Sequence, residues 1–249
     1  ADVDGDGLYD LYFITQIGGN ELWRNIGGGA FENLTSRAGL AVADPVSVSA
    51  SFADIDNDSD PDLYVTTLRH GNRLFENDGT GTFTDISESA GVDYDGHPSG
   101  AVFFDYNGDG LLDLFLSNVG KYTTDALKKV GPPVVGGSEG EDYEYYTGFD
   151  DGFSGHLKPE RTEVSILFEN TGGNRFIDVS KRVGLVDGGW SGAASPIDVN
   201  EDGWTDLYVL NMQGHDGYYE NVEGKRFVDR SREVFPETPW GSMGVKVFD

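Results

Sequence analysis

Aspartates recur in this chain at a spacing that suits a hard divalent cation. Asp2, Asp4, Asp6 and Asp10 stand at positions 1, 3, 5 and 9 of a nine-residue stretch, with Gly7 at position 6. The stretch returns with Asp54, Asp56, Asp58 and Asp62, with Asp105, Asn107, Asp109 and Asp113, and with Asp198, Asn200, Asp202 and Asp206. A fifth copy stops at its first residue, Asp249. Ca²⁺ takes about six to eight oxygens at about 2.3–2.6 Å. Position 7 can add its backbone carbonyl, so Leu8, Asp60, Leu111 and Trp204 complete the sets and up to four Ca²⁺ sites are expected. Asp, Asn and Gly are also ordinary turn formers. A bare turn, however, leaves the mutual repulsion of three or four carboxylates uncompensated.

The first six positions are shared with the EF-hand, which needs a Glu at position 12 and flanking helices. Position 12 is Phe13, Val65, Leu116 or Val209 here. These apolar residues fit a strand, so each stretch is expected to be a hairpin loop closed by the Asp at position 9. The copies predict a ranking. Asn107 and Asn200 remove one charge each and weaken the third and fourth sites, since affinity follows ligand charge. Ser59 stands where the other copies have Gly, at a position expected to be left-handed. The first loop, at the chain end, is expected to fray.

The elements that position these loops follow from the period. The loops begin at 2, 54, 105, 198 and 249, intervals of 52, 51, 93 and 51 residues. The long interval is one repeat carrying an insertion of about 42 residues, placed at 119–163. Each repeat reads as four short strands with Gly, Asn and Asp at the turns. A small-residue segment precedes the loop and a Leu-Tyr or Leu-Phe run follows it. Then come Glu21–Asn25, Arg73–Asn77, Ile166–Asn170 and Gly217–Asn221, and a last strand centred on Phe31, Phe83, Phe176 or Phe227. A helical turn ended by a left-handed Gly closes the repeat. Four strands per unit near 50 residues, with one repeated aromatic, is the pattern of β-propeller blades. The expected fold is all-β, with repeats at 1–46, 47–98, 99–190 and 191–241 and a further first strand over 242–249. The four Phe are expected to pack between blades. Because the chain begins and ends inside loops, a segment of a larger propeller is expected in preference to a closed four-bladed ring.

Composition narrows the partners. Forty-four acidic residues against 17 basic ones give a formal charge of −27, which disfavours nucleic acid and anionic membranes. Fourteen of these acids sit at ligand positions, and four Ca²⁺ would bring the charge to about −19. There is no Cys, hence no disulfide or thiolate site. No apolar run approaches the roughly 20 residues of a membrane span. Without disulfides, Ca²⁺ is the available staple, which points to a secreted, cell-surface or periplasmic setting.

The pattern Asp-x-Asp/Asn-x-Asp-Gly-x-x-Asp-Leu-Tyr/Phe, then Leu-Phe/Trp-x-Asn, Gly and Phe-x-Asp/Asn-x-Thr/Ser, resembles FG-GAP/VCBS repeats. With the Ala-Gly-Leu/Val turn, it is most similar to the cartilage acidic protein group and its bacterial relatives. That resemblance implies an integrin-α-like, non-catalytic propeller with Ca²⁺ in its hairpin loops, serving adhesion or recognition of a protein or glycan ligand.

The insertion is where any other chemistry would sit. It holds a Lys/Pro/Gly part (Lys121, Lys128, Lys129, Pro132, Pro133, Gly136, Gly137), then Glu139, Glu141, Asp142, Tyr143, Glu144, Tyr145 and Tyr146. It is expected to be a surface loop without specific chemistry or, functionally, a partner-binding cap using the three Tyr. His156, Lys158, Glu160 and Arg161 are the one dense acid/base cluster, on which an alternative polysaccharide lyase or hydrolase reading would rest. His70, His97 and His215 are scattered and expected at the surface.

Overall fold

A computed structural model describes residues 1–16, 18–41, 46–130 and 143–247, without the side chains at 130, 143, 153 and 156. Pro132, Pro133, Gly136, Gly137, Glu139, Glu141, Asp142, the Tyr143 side chain and Asp249 therefore lie outside the described residues. The chain is all-β. Strands β1 (Leu11–Phe13), β2 (Glu21–Asn25) and β3 (Phe31–Asn33) form a first, three-stranded sheet. The second sheet is β4 (Ser47–Ala53), β5 (Asp62–Thr67), β6 (Arg73–Asn77) and β7 (Phe83–Asp85), in sequence order and antiparallel.

The third sheet joins β8 (Pro98–Phe104) and β9 (Asp113–Asn118) to β12 (Ile166–Asn170) and β13 (Phe176–Asp178). Between β9 and β12 the insertion forms a separate hairpin, β10 (Thr123–Val130) with β11 (Tyr143–Gly148), and 3₁₀ turns at Gly152–Leu157 and Pro159–Arg161. The fourth sheet is β14 (Ser191–Ile197), β15 (Asp206–Asn211), β16 (Gly217–Val222) and β17 (Arg226–Asp229). Residues 242–247, expected to start another sheet, form no strand.

The first strands β4, β8 and β14 lie side by side. Their small side chains allow this approach, with Ser51 Oγ donating to the Ala101 carbonyl at 2.8 Å and Ser99 Oγ to that of Ser191 at 2.5 Å. Each of these strands has a bulge near its start, between Ser47 and Ser49, Pro98 and Gly100, and Ser191 and Ala193. The repeat pattern gave no warning of it.

Three apolar clusters lie between successive sheets rather than within one. Leu22 and Leu40 of the first repeat meet Val65, Phe75 and Phe83 of the second. Tyr64 and Leu74 meet Leu116 and Phe176 of the third, whose Phe115 and Leu167 meet Val209 and Phe227 of the fourth. Phe83, Phe176 and Phe227 are only 4–5% exposed. Phe31 departs from expectation at 38%, because no sheet among the described residues covers that side of the first repeat. Helical turns α1 (Ser87–Ala90) and α2 (Ser180–Val183) end at left-handed Gly91 and Gly184, as expected, whereas α3 (Ser231–Val234) ends at Phe235. Successive antiparallel four-stranded sheets packed face to face make the arrangement β-propeller-like.

Candidate metal loops and the face opposite them

The four aspartate stretches fold into one loop geometry, the last three between the first and second strands of their sheets and the first directly ahead of β1. The position-1 carboxylate accepts the position-6 N–H, Gly7 onto Asp2 at 2.8 Å, Ser59 onto Asp54 at 3.0 Å, and Gly110 and Gly203 onto Asp105 and Asp198 at 2.9 Å. Position 3 accepts from position 5, at Asp4, Asp56, Asn107 and Asn200. Position 5 accepts from position 7, at Asp6, Asp58, Asp109 and Asp202, from Leu8, Asp60, Leu111 and Trp204. These nested turns aim the side-chain oxygens of positions 1, 3 and 5 inward.

Position 6 is left-handed as expected, with φ of 79° at Ser59 against 85–87° at Gly7, Gly110 and Gly203. A side chain there stores backbone strain. Position 4 is left-handed too, which the pattern did not announce because Asn57 and Glu201 share it with Gly5 and Gly108.

The position-9 Asp has a role beyond closing a metal site. Asp10, Asp62, Asp113 and Asp206 are at most 4% exposed. One oxygen of each accepts the position-2 N–H (Val3, Ile55, Tyr106, Val199) and the other the N–H of the Asn ending the third strand (Asn25, Asn77, Asn170, Asn221). That Asn was missed in the sequence, although its recurrence in every repeat signals it. The Asn77, Asn170 and Asn221 side chains also donate across sheets, to the carbonyls of Val3, Ile55 and Tyr106 in the preceding loop, at 2.8–2.9 Å. One residue in each of the first three loops is thus held by its own repeat through its N–H and by the next sheet through its C=O.

The loops differ in charge. Oxygens of Asp2, Asp4 and Asp10 lie within 4.8 Å of one another, as do those of Asp54, Asp56 and Asp58. Among the described residues the two Asn-containing loops gather no such trio. There the Asn side-chain amide donates to position 5, Asn107 to Asp109 at 2.9 Å and Asn200 to Asp202 at 3.1 Å, putting a neutral donor where the other loops have a further carboxylate. In the first loop Arg24 reaches Asp4 at 2.5 Å and Asp6 at 3.0 Å. It stands where the other repeats have Glu76, Glu169 and Glu220, a substitution visible in the sequence but not weighed.

The second loop has neither device. Its five carboxylates, Asp60 included, have no cationic partner among the described residues. Burial, with Asp58 beside it, raises Asp56, and raises Asp60 to about 7. Burial likewise raises Asp62 to about 6 and Asp113 to about 7, against the N–H bonds that lower them. Asp2 Oδ1 and Asp60 Oδ1 are buried without a donor. Oxygen donors in this number, some unpartnered, fit Ca²⁺.

The opposite ends of the strands carry the insertion, which is docked and not a loose loop. Glu163 accepts the His97 backbone N–H at 2.7 Å and pairs with His97 Nδ1 at 2.7 Å, while His97 Nε2 meets Thr123 Oγ1 at 2.7 Å. His97, expected at the surface, is 1% exposed because it is this anchor. Arg69 donates to the Thr124 carbonyl and to Asp125 at 2.7 Å, under the Tyr146 ring 4.0 Å away. Trp190 closes the base of the insertion so tightly that a Cβ on Gly120 would come within 2.1 Å of its indole. Tyr145 is 38% exposed, while Tyr146 serves docking. Lys158 and Arg161 of the acid/base cluster are both engaged by Asp151, at 2.6 and 2.7 Å, which holds that carboxyl down at about 2. The His156 side chain lies outside the described residues.

No helix among the described residues is long and apolar enough to cross a membrane. The family of FG-GAP-like repeats matches residues 2–65 and 54–116. Cartilage acidic protein 1 of Xenopus tropicalis is 31% identical over 140 residues, covering 47% of this chain and 20% of that protein. The proteins of that name from Mus musculus and Homo sapiens are each 38% identical over 85 residues, 34% of this chain and 12% and 11% of theirs. The chain therefore matches a fifth or less of the length of these relatives.

Proposed function

Starting from a chain that is an FG-GAP repeat protein, we propose that it is an extracellular recognition or adhesion module of the β-propeller type, with Ca²⁺ as a structural staple in its loops. The observation that carries the metal is the second loop, where Asp54, Asp56 and Asp58 bring oxygens within 4.8 Å of one another and none of the loop's five carboxylates has a cationic partner among the described residues. Asp54, Asp56, Asp58, Asp62 and the Asp60 carbonyl would hold the ion there. The corresponding sets are Asp2, Asp4, Asp6, Leu8 and Asp10; Asp105, Asn107, Asp109, Leu111 and Asp113; and Asp198, Asn200, Asp202, Trp204 and Asp206. Bound Ca²⁺ supplies positive charge and a coordination shell, with no redox or acid/base chemistry. The second loop ranks first. The first loop follows, tempered by Arg24, and the third and fourth come last.

The secreted setting is supported by the FG-GAP-like repeats and the likeness to cartilage acidic protein 1. The proposed partner is a protein or glycan, met on surfaces other than the loops. Melting with Ca²⁺ and with EDTA tests the staple. A ligand at a hundredfold excess over its Kd adds about 2.7 kcal/mol per site, so a large upward shift with Ca²⁺ is expected. An unchanged midpoint in EDTA would overturn the reading.

A further inference from the structure

The fourth sheet carries a polar cavity of 360 Å³ at the end opposite its aspartate loop, lined among others by Asp187, Asn211, Asp216 and Tyr219. Asp187, Asn211 and Asp216 are 4%, 3% and 2% exposed. Asp187 accepts from Tyr219 Oη at 3.0 Å, from Asn211 Nδ2 at 3.2 Å and from Ser191 Oγ. Asp216 accepts the Asn211 backbone N–H at 2.9 Å, Ser242 Oγ at 3.0 Å and Tyr208 Oη at 3.2 Å. Every one of these donors is neutral. Arg230 lines the same cavity but pairs with Glu220 and Glu233. Arg232 also lines it and forms no ion pair with either aspartate. Two carboxylates joined through one Asn are thus buried beside two arginines that form no ion pair with either of them, an arrangement that is costly unless a positive charge joins them.

The other repeats show that the fold does not require this charge. The backbone N–H that Asp216 accepts has its counterpart at Thr15 and Thr67, where the acceptors are the neutral amides of Asn20 and Asn72. In the third repeat the acceptor is the Ser165 hydroxyl. The charge on Asp216 is surplus to the turn. The independent sign of a ligand is Asn211 Oδ1, a buried amide oxygen with no donor, on a residue that lines the cavity and touches both carboxylates.

We propose that this cavity binds a divalent cation of the Ca²⁺ type through Asp187, Asp216 and the Asn211 amide oxygen. Carboxylate and amide oxygens are its preferred donors. A water occupies about 30 Å³, so the cavity takes the ion with several retained waters. The site is separate from the aspartate loops and does not depend on their metal content.

Equilibrium dialysis with ⁴⁵Ca²⁺ on the wild-type chain and on Asp216→Asn tests it, because Asn at this place already serves the first two repeats. The variant is expected to bind one ion fewer per chain. Asp54→Asn, which alters the second loop, should leave this site filled. Wild-type crystals soaked in Tb³⁺ decide the matter independently of how the variant folds. An anomalous peak bridging Asp187 and Asp216 is expected. Its absence, or an unchanged ion count in a folded Asp216→Asn, overturns the proposal. Failure of the loops to bind would remove peaks from the other end only, so the two failures are distinguishable.

Discussion

At the loop end of the sheets, four nine-residue loops share one hydrogen-bond scheme although only three of their nine positions are the same in all four. At the other end the connections between second and third strands differ in every repeat, from five residues to the whole docked insertion. At the first end the bonds within each loop span two to seven residues, and the longer ones from the recurring Asn repeat with the sequence, so a repeated sequence yields a repeated shape. The second is held by pairs far apart in sequence, such as His97 with Glu163 and Arg69 with Asp125, which occur once each. Repetition sets the scaffold and singular pairs set what is individual about the molecule.

Three changes would break or sharpen that contrast. The largest effect is expected from Asp113→Ala, which strips the acceptor from two buried N–H groups, at about 1–3 kcal/mol each. Chemical denaturation should show a loss of about 4 kcal/mol. A loss below 1 kcal/mol would mean that the buried aspartates are not the clasps of the loops.

The two ends should next respond to pH with opposite sign. Asp62 and Asp113 have folded-state values raised above the ordinary value of about 4. The metal-free protein therefore gains from them below about pH 4 and loses that gain as pH rises through about 6–7. Asp151 is lowered to about 2, so its contribution is full above about pH 4 and lost as pH falls through about 2. Thermal melts in EDTA should show a midpoint that drops between pH 5 and 7.5, and Ca²⁺ should abolish the drop. A metal-free midpoint that rises over this range would contradict the assignment.

The smallest global effect belongs to Glu163→Gln. It weakens the His97 anchor and is expected to speed proteolysis within 119–163 severalfold while moving the melting midpoint by no more than about 2 °C. Uniform acceleration of cleavage along the chain would show that the insertion is integral to the sheets.

Much of the scaffold was legible because hydrogen-bonded hairpins obey local rules. Glu21–Asn25, Arg73–Asn77 and Ile166–Asn170 are strands with the bounds their residues imply. The left-handed Ser59 was legible for the same reason, since a Gly-rich position betrays its backbone. Exposure of Phe31 was not, because burial is set by a neighbouring sheet and not by the repeat itself. The His97 anchor was hidden by uniqueness, and Arg24 by its sequence distance from the carboxylates it meets. The inter-sheet role of the Asn ending each third strand sat in plain view as a recurring letter, but only its cross-sheet partner explains the recurrence.

That shared residue has a mechanical meaning. Val3, Ile55 and Tyr106 each sit where one sheet grips the N–H and the next sheet grips the C=O. Tension that tries to peel one repeat from its neighbour loads this rivet together with the apolar clusters and the Ser51 and Ser99 bonds, and the rivet sits in the same loop as the carboxylates that would hold an ion. A cation in the loop would then govern the force at which neighbouring repeats part, and the array would yield one rivet at a time instead of unravelling at once.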